Sequence, residues 1–210
     1  RDEANNFFVQ QDLVNFDDQI AQAQLRDAGF PMEGWGTQFV DGDLDGLPDL
    51  FVANGDLGDY FATDPHEKMP AQFFRNLGNA RFQELSEHTL GPYFAKRRLG
   101  RAVARIDWNR DGYADLCVTH VDSPTALLTN RGDAVGHSIS VRLRGVNCSR
   151  DAIGSTVTVT TANQSQTQQL VAGDGFSASN ERQLIFGLGA QETIDLLTVK
   201  WASGLIQSFV

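Results

Sequence analysis

The chain has 210 residues, 41% of them hydrophobic and 21% charged, with 20 glycines and six prolines. This is the composition of a folded chain rich in tight turns. Its formal net charge of −10 comes from 17 basic and 27 acidic residues, which excludes nucleic acid or an anionic membrane surface as the main partner, because both require a basic face. No apolar run approaches the ~18 residues of a bilayer span, so no membrane insertion is expected.

The chain opens at Arg1 with no visible leader, as expected of a mature protein or an excised fragment. An internal repeat organises its first 130 or so residues. At an offset of 66, Phe7 and Phe8 fall on Phe73 and Phe74, Phe16 on Phe82, and Gly34 on Gly100. The same offset carries Asp41, Asp43, Asp45, Gly46, Asp49 and Leu50 onto Asp107, Asn109, Asp111, Gly112, Asp115 and Leu116. In chain order, Asp18 to Asp27 is the best segment for a short helix. Gln38 to Val40 reads as a strand entering an acidic loop, and Leu50 to Ala53 as the strand leaving it toward a turn at Asn54-Gly55. Phe73 to Arg75, the turn Asn76 to Asn79 and Arg81 to Gln83 form a hairpin pattern. Ala126 to Asn130 restarts that pattern, but no acidic loop follows it.

From His137 the texture changes. Ile139, Val141 and Leu143 alternate with polar residues, and Thr156 to Thr161 alternates Thr with Val. Gln164 to Val171, Leu184 to Phe186, Ile194 to Trp201 and Leu205 to Phe209 supply further strands, with turns expected at Gly187-Leu188-Gly189 and Ser203-Gly204. The chain is therefore read as all-β. Repeated blades span 1–134, and a small antiparallel β-sandwich or barrel spans 135–210.

The two acidic loops carry the chemistry. Asp41, Asp43, Asp45, Leu47 and Asp49 in one, and Asp107, Asn109, Asp111, Tyr113 and Asp115 in the other, stand at positions 1, 3, 5, 7 and 9. Side-chain oxygens at 1, 3 and 5 of a tight loop converge on one point, and glycine at 6 permits the sharp turn. The carbonyl at 7 and the carboxylate at 9 complete a calcium shell, giving two Ca²⁺ sites. Asn109 lowers the charge of the second site without removing an oxygen. An EF-hand would carry a bidentate Glu at position 12, where Val52 and Val118 stand instead.

These loops, with a strand on each side, resemble the FG-GAP or VCBS repeats of integrin-type β-propeller blades. Arg150 to Val157, Ala172 to Phe176, Arg182 to Gly189 and Val199 to Gly204 resemble the ASPIC/UnbV domain. That domain follows such repeats in mostly bacterial secreted proteins and in animal cartilage acidic proteins. The resemblance implies propeller-type blades and an extracellular or cell-surface setting, with the periplasm as a variant. A propeller closes with about four to eight blades, so two calcium-bearing units imply either part of a longer protein or another packing.

Other signals are weaker. Arg131-Gly132-Asp133 spells an integrin-recognition tripeptide but sits where a polar junction turn is expected. Cys117 and Cys148 lie in unlike surroundings and are expected to stay unpaired. His66, His88, His120 and His137 form no zinc pattern, and no Gly-x-Ser-x-Gly, P-loop or dinucleotide motif occurs. Trp35, Trp108 and Trp201 are expected in packing roles. The expected function is a calcium-stabilised, non-catalytic binding or adhesion module with a protein or glycan ligand. The alternatives are a self-assembling structural subunit and, more weakly, an accessory part of a secreted hydrolase.

Overall fold

The computed structural model describes residues 5–56, 67–132 and 136–210. Strands β1 (Phe8–Gln10) and β2 (Phe16–Asp18) form an antiparallel hairpin. The short helix expected from Asp18 to Asp27 is not formed: Asp18 ends β2, residues 20–24 turn, and α1 is the single turn Arg26–Gly29. The cause is local. Asp18 Oδ1 accepts the N–H groups of Phe7 and Ile20 and Oδ2 accepts Asn6 Nδ2, which commits that carboxylate to the turn. Gln24 at φ 62° then leaves the helical region.

Strands β3 (Gly34–Val40), β4 (Asp49–Asn54), β5 (Gln72–Asn76) and β6 (Phe82–Glu84) make a four-stranded antiparallel meander. After α2 (Glu87–Leu90), strands β7 (Gly100–Ile106), β8 (Asp115–His120) and β9 (Ala126–Leu128) make a three-stranded one. The repeat holds in three dimensions: β3 and β7, and β4 and β8, have bounds 66 residues apart. So do the register shifts at Gly34/Thr37 and Gly100/Val103.

Every residue of β4 is buried, because both of its faces are covered. Leu50 and Val52 join Ala23, Leu25, Phe74 and Phe82 on one side. Phe51 and Ala53 join Val103, Leu116 and Val118 on the other. Side chains alternate across a strand, so two apolar layers sandwich this sheet, one shared with the next sheet. The hairpin β1–β2 lacks such cover: Phe8 and Phe16 are 61% and 56% exposed, whereas their repeat partners Phe74 and Phe82 are each 3% exposed.

Strands β10 (His137–Val141), β11 (Thr156–Thr160), β12 (Ser165–Gln169), β13 (Leu184–Gly189), β14 (Leu196–Lys200) and β15 (Ile206–Phe209) complete the chain. β10 pairs with β13, while β12, β11, β14 and β15 form a second sheet in that order. Val157, Val159 and Val199 from one sheet and Leu184, Phe186 and Leu188 from the other close a core between them, so the expected choice of sandwich or barrel resolves to a sandwich. The turn expected at Gly187-Leu188-Gly189 is instead the end of β13, paired with β10. Those glycines serve close approach to a neighbouring loop rather than chain reversal.

Candidate metal loops

Residues 41–49 join β3 to β4, and residues 107–115 join β7 to β8. In both loops the position-1 aspartate folds the loop around its own carboxylate. Asp41 accepts the N–H groups of Asp45 at 3.1 Å and Gly46 at 2.9 Å. Asp107 accepts those of Asp111 at 3.2 Å and Gly112 at 3.3 Å. Asp45 and Asp111 accept the N–H groups of Leu47 and Tyr113 at 2.8 and 2.9 Å. Position 4 is left-handed in both, Leu44 at φ 58° and Arg110 at φ 59°, and position 6 likewise, Gly46 at 89° and Gly112 at 87°. Holding a side-chain-bearing residue there costs about 1–3 kcal/mol, which the repeated carboxylate–amide bonds offset.

Position 9 works as a clasp. Asp49 accepts Gly42 N–H at 3.0 Å and Asn76 N–H at 2.8 Å. Asp115 accepts Trp108 N–H at 3.1 Å and Asn130 N–H at 2.8 Å. Each ties the start of its loop to the third strand or the chain just beyond it. Asp41, Asp43 and Asp45 each present an oxygen within 4.8 Å of one another, with Asp49 outside that group. In the second loop Asn109 Nδ2 donates to Asp111 Oδ2 at 2.6 Å, drawing positions 3 and 5 together.

The first loop fits a hard cation. Asp43 Oδ1 is shut off from solvent and accepts no hydrogen bond among the described residues, a state that costs about 1–3 kcal/mol unless a ligand fills it. Burial, then the neighbouring Asp45, Asp49 and Asp43, pushes Asp41 up to about 7 against the opposing Gly46 N–H. Burial likewise lifts Asp49 to about 6, and raises Asp45. Burial also raises Asp115 in the second loop. Four carboxylates in the first loop face one guanidinium: Arg75 Nη2 lies 2.6 Å from Asp43 and 3.9 Å from Asp45. An all-oxygen donor set of this kind suits calcium, which takes about six to eight oxygens.

Sequence spacing missed the residues that border these loops from afar. Arg75 comes from β5, and Glu181, Gln183 and Gly187 from the C-terminal sandwich, with no local pattern to announce them. Glu181 accepts Asp107 N–H at 3.1 Å and pairs with Arg142 and Arg110, and Gln183 Nε2 lies 3.3 Å from Asp107 Oδ2. The other flagged residues are dispersed. Cys117 and Cys148 are free and half-buried. Trp35 packs on Arg101 and Phe176, Trp108 donates to Thr129, and Trp201 donates to Gln207. His120 bonds Tyr93 and the Pro124 carbonyl. Gly132 packs under the Tyr113 ring, while His66 and Asp133 lie outside the described residues. Among the described residues no helix is long and apolar enough to cross a membrane.

Residues 41–118 match the family model for an FG-GAP-like repeat, and residues 145–210 match that for ASPIC and UnbV. No curated protein matches the chain. The chain thus carries an FG-GAP-like repeat segment followed by an ASPIC and UnbV domain, the order its motifs resemble. Repeats of the first kind are typical of extracellular or surface proteins and often bind calcium.

Proposed function

We propose that the chain is a calcium-stabilised, non-catalytic extracellular module for binding or adhesion, with one Ca²⁺ in each acidic loop. The observation that carries this reading is the first loop, where three carboxylates converge and Asp43 Oδ1 is walled from solvent with no donor. Asp41, Asp43 and Asp45, with Asp49 and the Leu47 carbonyl, would hold the first ion. Asp107, Asn109, Asp111 and Asp115, with the Tyr113 carbonyl, would hold the second. The ion supplies charge neutralisation that pins a hairpin loop. The carboxylates are engaged by backbone amides in the same geometry twice, which favours bracing over chemistry, and the module's ligand is a protein or a glycan. Calorimetric titration of the intact chain should show two calcium ions bound, and EGTA should lower its melting temperature. Binding of no calcium, or melting indifferent to EGTA, would sink the reading.

A second reading, self-assembly through strand edges, is favoured by β15. It is the edge of its sheet, and Leu205, Ile206 and Phe209 are 53%, 60% and 55% exposed. An exposed apolar edge strand is a template for pairing. Light scattering at rising concentration separates the two, since a strictly monomeric species counts against assembly.

A further inference from the structure

We propose that the C-terminal sandwich is a working part of the first loop: its docking through Gly187 and Leu44 and the calcium affinity of residues 41–49 are coupled, each strengthening the other. This rests on the reading of that loop as a calcium site.

The contact is backbone against backbone. A methyl group built on Gly187 would lie 2.1 Å from Asp41 Oδ2 and 2.6 Å from the Leu44 Cα and carbonyl carbon. Strand β13 therefore lies directly on the carboxylate at position 1 and the left-handed residue at position 4, and only glycine fits there. Leu44 is 1% exposed, its carbonyl accepts Gly189 N–H at 2.8 Å, and Gly136 closes on its Cβ. Gln166 Nε2 donates to the Gly187 carbonyl at 2.6 Å, and a methyl on Gly46 would strike Gln164 and Gln166. Leu44 is thus enclosed, and Asp41 and Gly46 are bordered, by strands β12 and β13 and the residues just before β12 and β10.

Coupling follows from that enclosure. Asp41 cannot move to take or release a cation without pressing on or leaving Gly187. Without the ion, the neighbouring carboxylates repel and loosen the loop that seats Leu44. Linkage makes the effect reciprocal: whatever docking gives to calcium affinity, calcium gives to docking. The second loop is held differently. Arg110, at the position of Leu44, is exposed, and a methyl on Gly112 would meet only Ser138 Oγ, at 3.1 Å. Its contacts with the sandwich run through side chains: Ser138 Oγ donates to the Gly112 carbonyl at 3.3 Å, and Glu181 and Gln183 line a cavity of about 10 Å³, roughly the room one water needs.

Two measurements on the full chain test this. In an Asp111→Ala background, calcium titration reads the first loop, and Gly187→Ala should weaken its affinity on the order of tenfold. In the unmodified chain, hydrogen exchange at the Gly189 amide should slow on calcium addition, while the β14 amides respond less. The exchange result decides alone if Gly187→Ala fails to fold. Equal affinity in a folded Gly187→Ala variant, or Gly189 exchange indifferent to calcium in a chain shown to bind it, overturns the coupling and leaves the calcium site standing. No calcium bound in the Asp111→Ala background overturns the site and the coupling together.

Discussion

The loops at 41–49 and 107–115 have one backbone and two settings. Their hydrogen bonds and left-handed residues match position by position. Yet Leu44 is sealed under β13, while Arg110 stands in solvent. The first loop gathers four aspartates, three of which burial pushes upward. The second has Asn109 at position 3 and exposed residues at 109–111. Short-range sequence fixes the shape of such a loop, and distant packing decides how tightly it holds a cation.

That contrast should appear most strongly with calcium stripped. Asp41, at about 7 and Asp49, at about 6 in the folded chain, stand above the ordinary 3.8 of an unfolded aspartate. Between those values the folded state binds more protons than the unfolded one, so stability falls as pH rises. In EGTA the melting temperature should therefore drop from about pH 5 to pH 8. With saturating calcium the sign reverses, because protons then compete with the ion. Asp41→Asn should flatten the EGTA slope, and a slope unchanged in that variant would break the assignment to the first loop.

Next in size is the matched pair at position 4. Leu44→Ala removes a buried side chain beside β13 and should cost about 2–5 kcal/mol. Arg110→Ala removes an exposed one and should stay within about 0.5 kcal/mol. Urea denaturation in calcium measures both, and similar costs would mean the two loops are covered alike.

A smaller, sign-changing effect is expected at position 3. In EGTA, Asp43→Ala removes a buried oxygen with no donor and should stabilise by about 1 kcal/mol after the exposed Arg75 pair is lost. In calcium the same change should destabilise, because a ligand is gone. Asn109→Ala, exposed and outside the buried cluster, should shift little in EGTA. Melting curves with and without calcium check the crossing, and Asp43→Ala destabilising in both would refute it.

The sequence displayed these loops because their determinants lie within nine residues: Asp41 bonds Asp45 and Gly46, and glycine at position 6 takes φ 89°. The strands were legible from alternation, and the repeat from its fixed offset. The helix expected at 18–27 failed because the Asp18 carboxylate closes a turn of its own. The turn expected at 187–189 failed because glycine there answers to Asp41 and Leu44, some 145 residues earlier in the chain. Glu181 and Gln183 reach Asp107 across some 75 residues. Contacts of that separation leave no trace in local spacing.

The smallest change sharpens the contrast from the other side. Asn109→Asp gives the second loop the acid set of the first without altering its backbone, since Asn109 Oδ1 accepts Asp111 N–H at 3.3 Å and a carboxylate can do the same. The amide's bond to Asp111 Oδ2 would be lost and replaced by repulsion, so the calcium-free loop should be slightly less stable. Residues 109–111 are exposed, and solvent screens most of the added charge. Calcium affinity of the second loop should accordingly rise only several-fold, on the order of 1 kcal/mol, and the gain should shrink at high salt. Titration in an Asp45→Ala background, which silences the first loop, reads it directly. A gain that brought the second loop level with the first would mean that charge alone separates them and that the cover of β13 adds nothing.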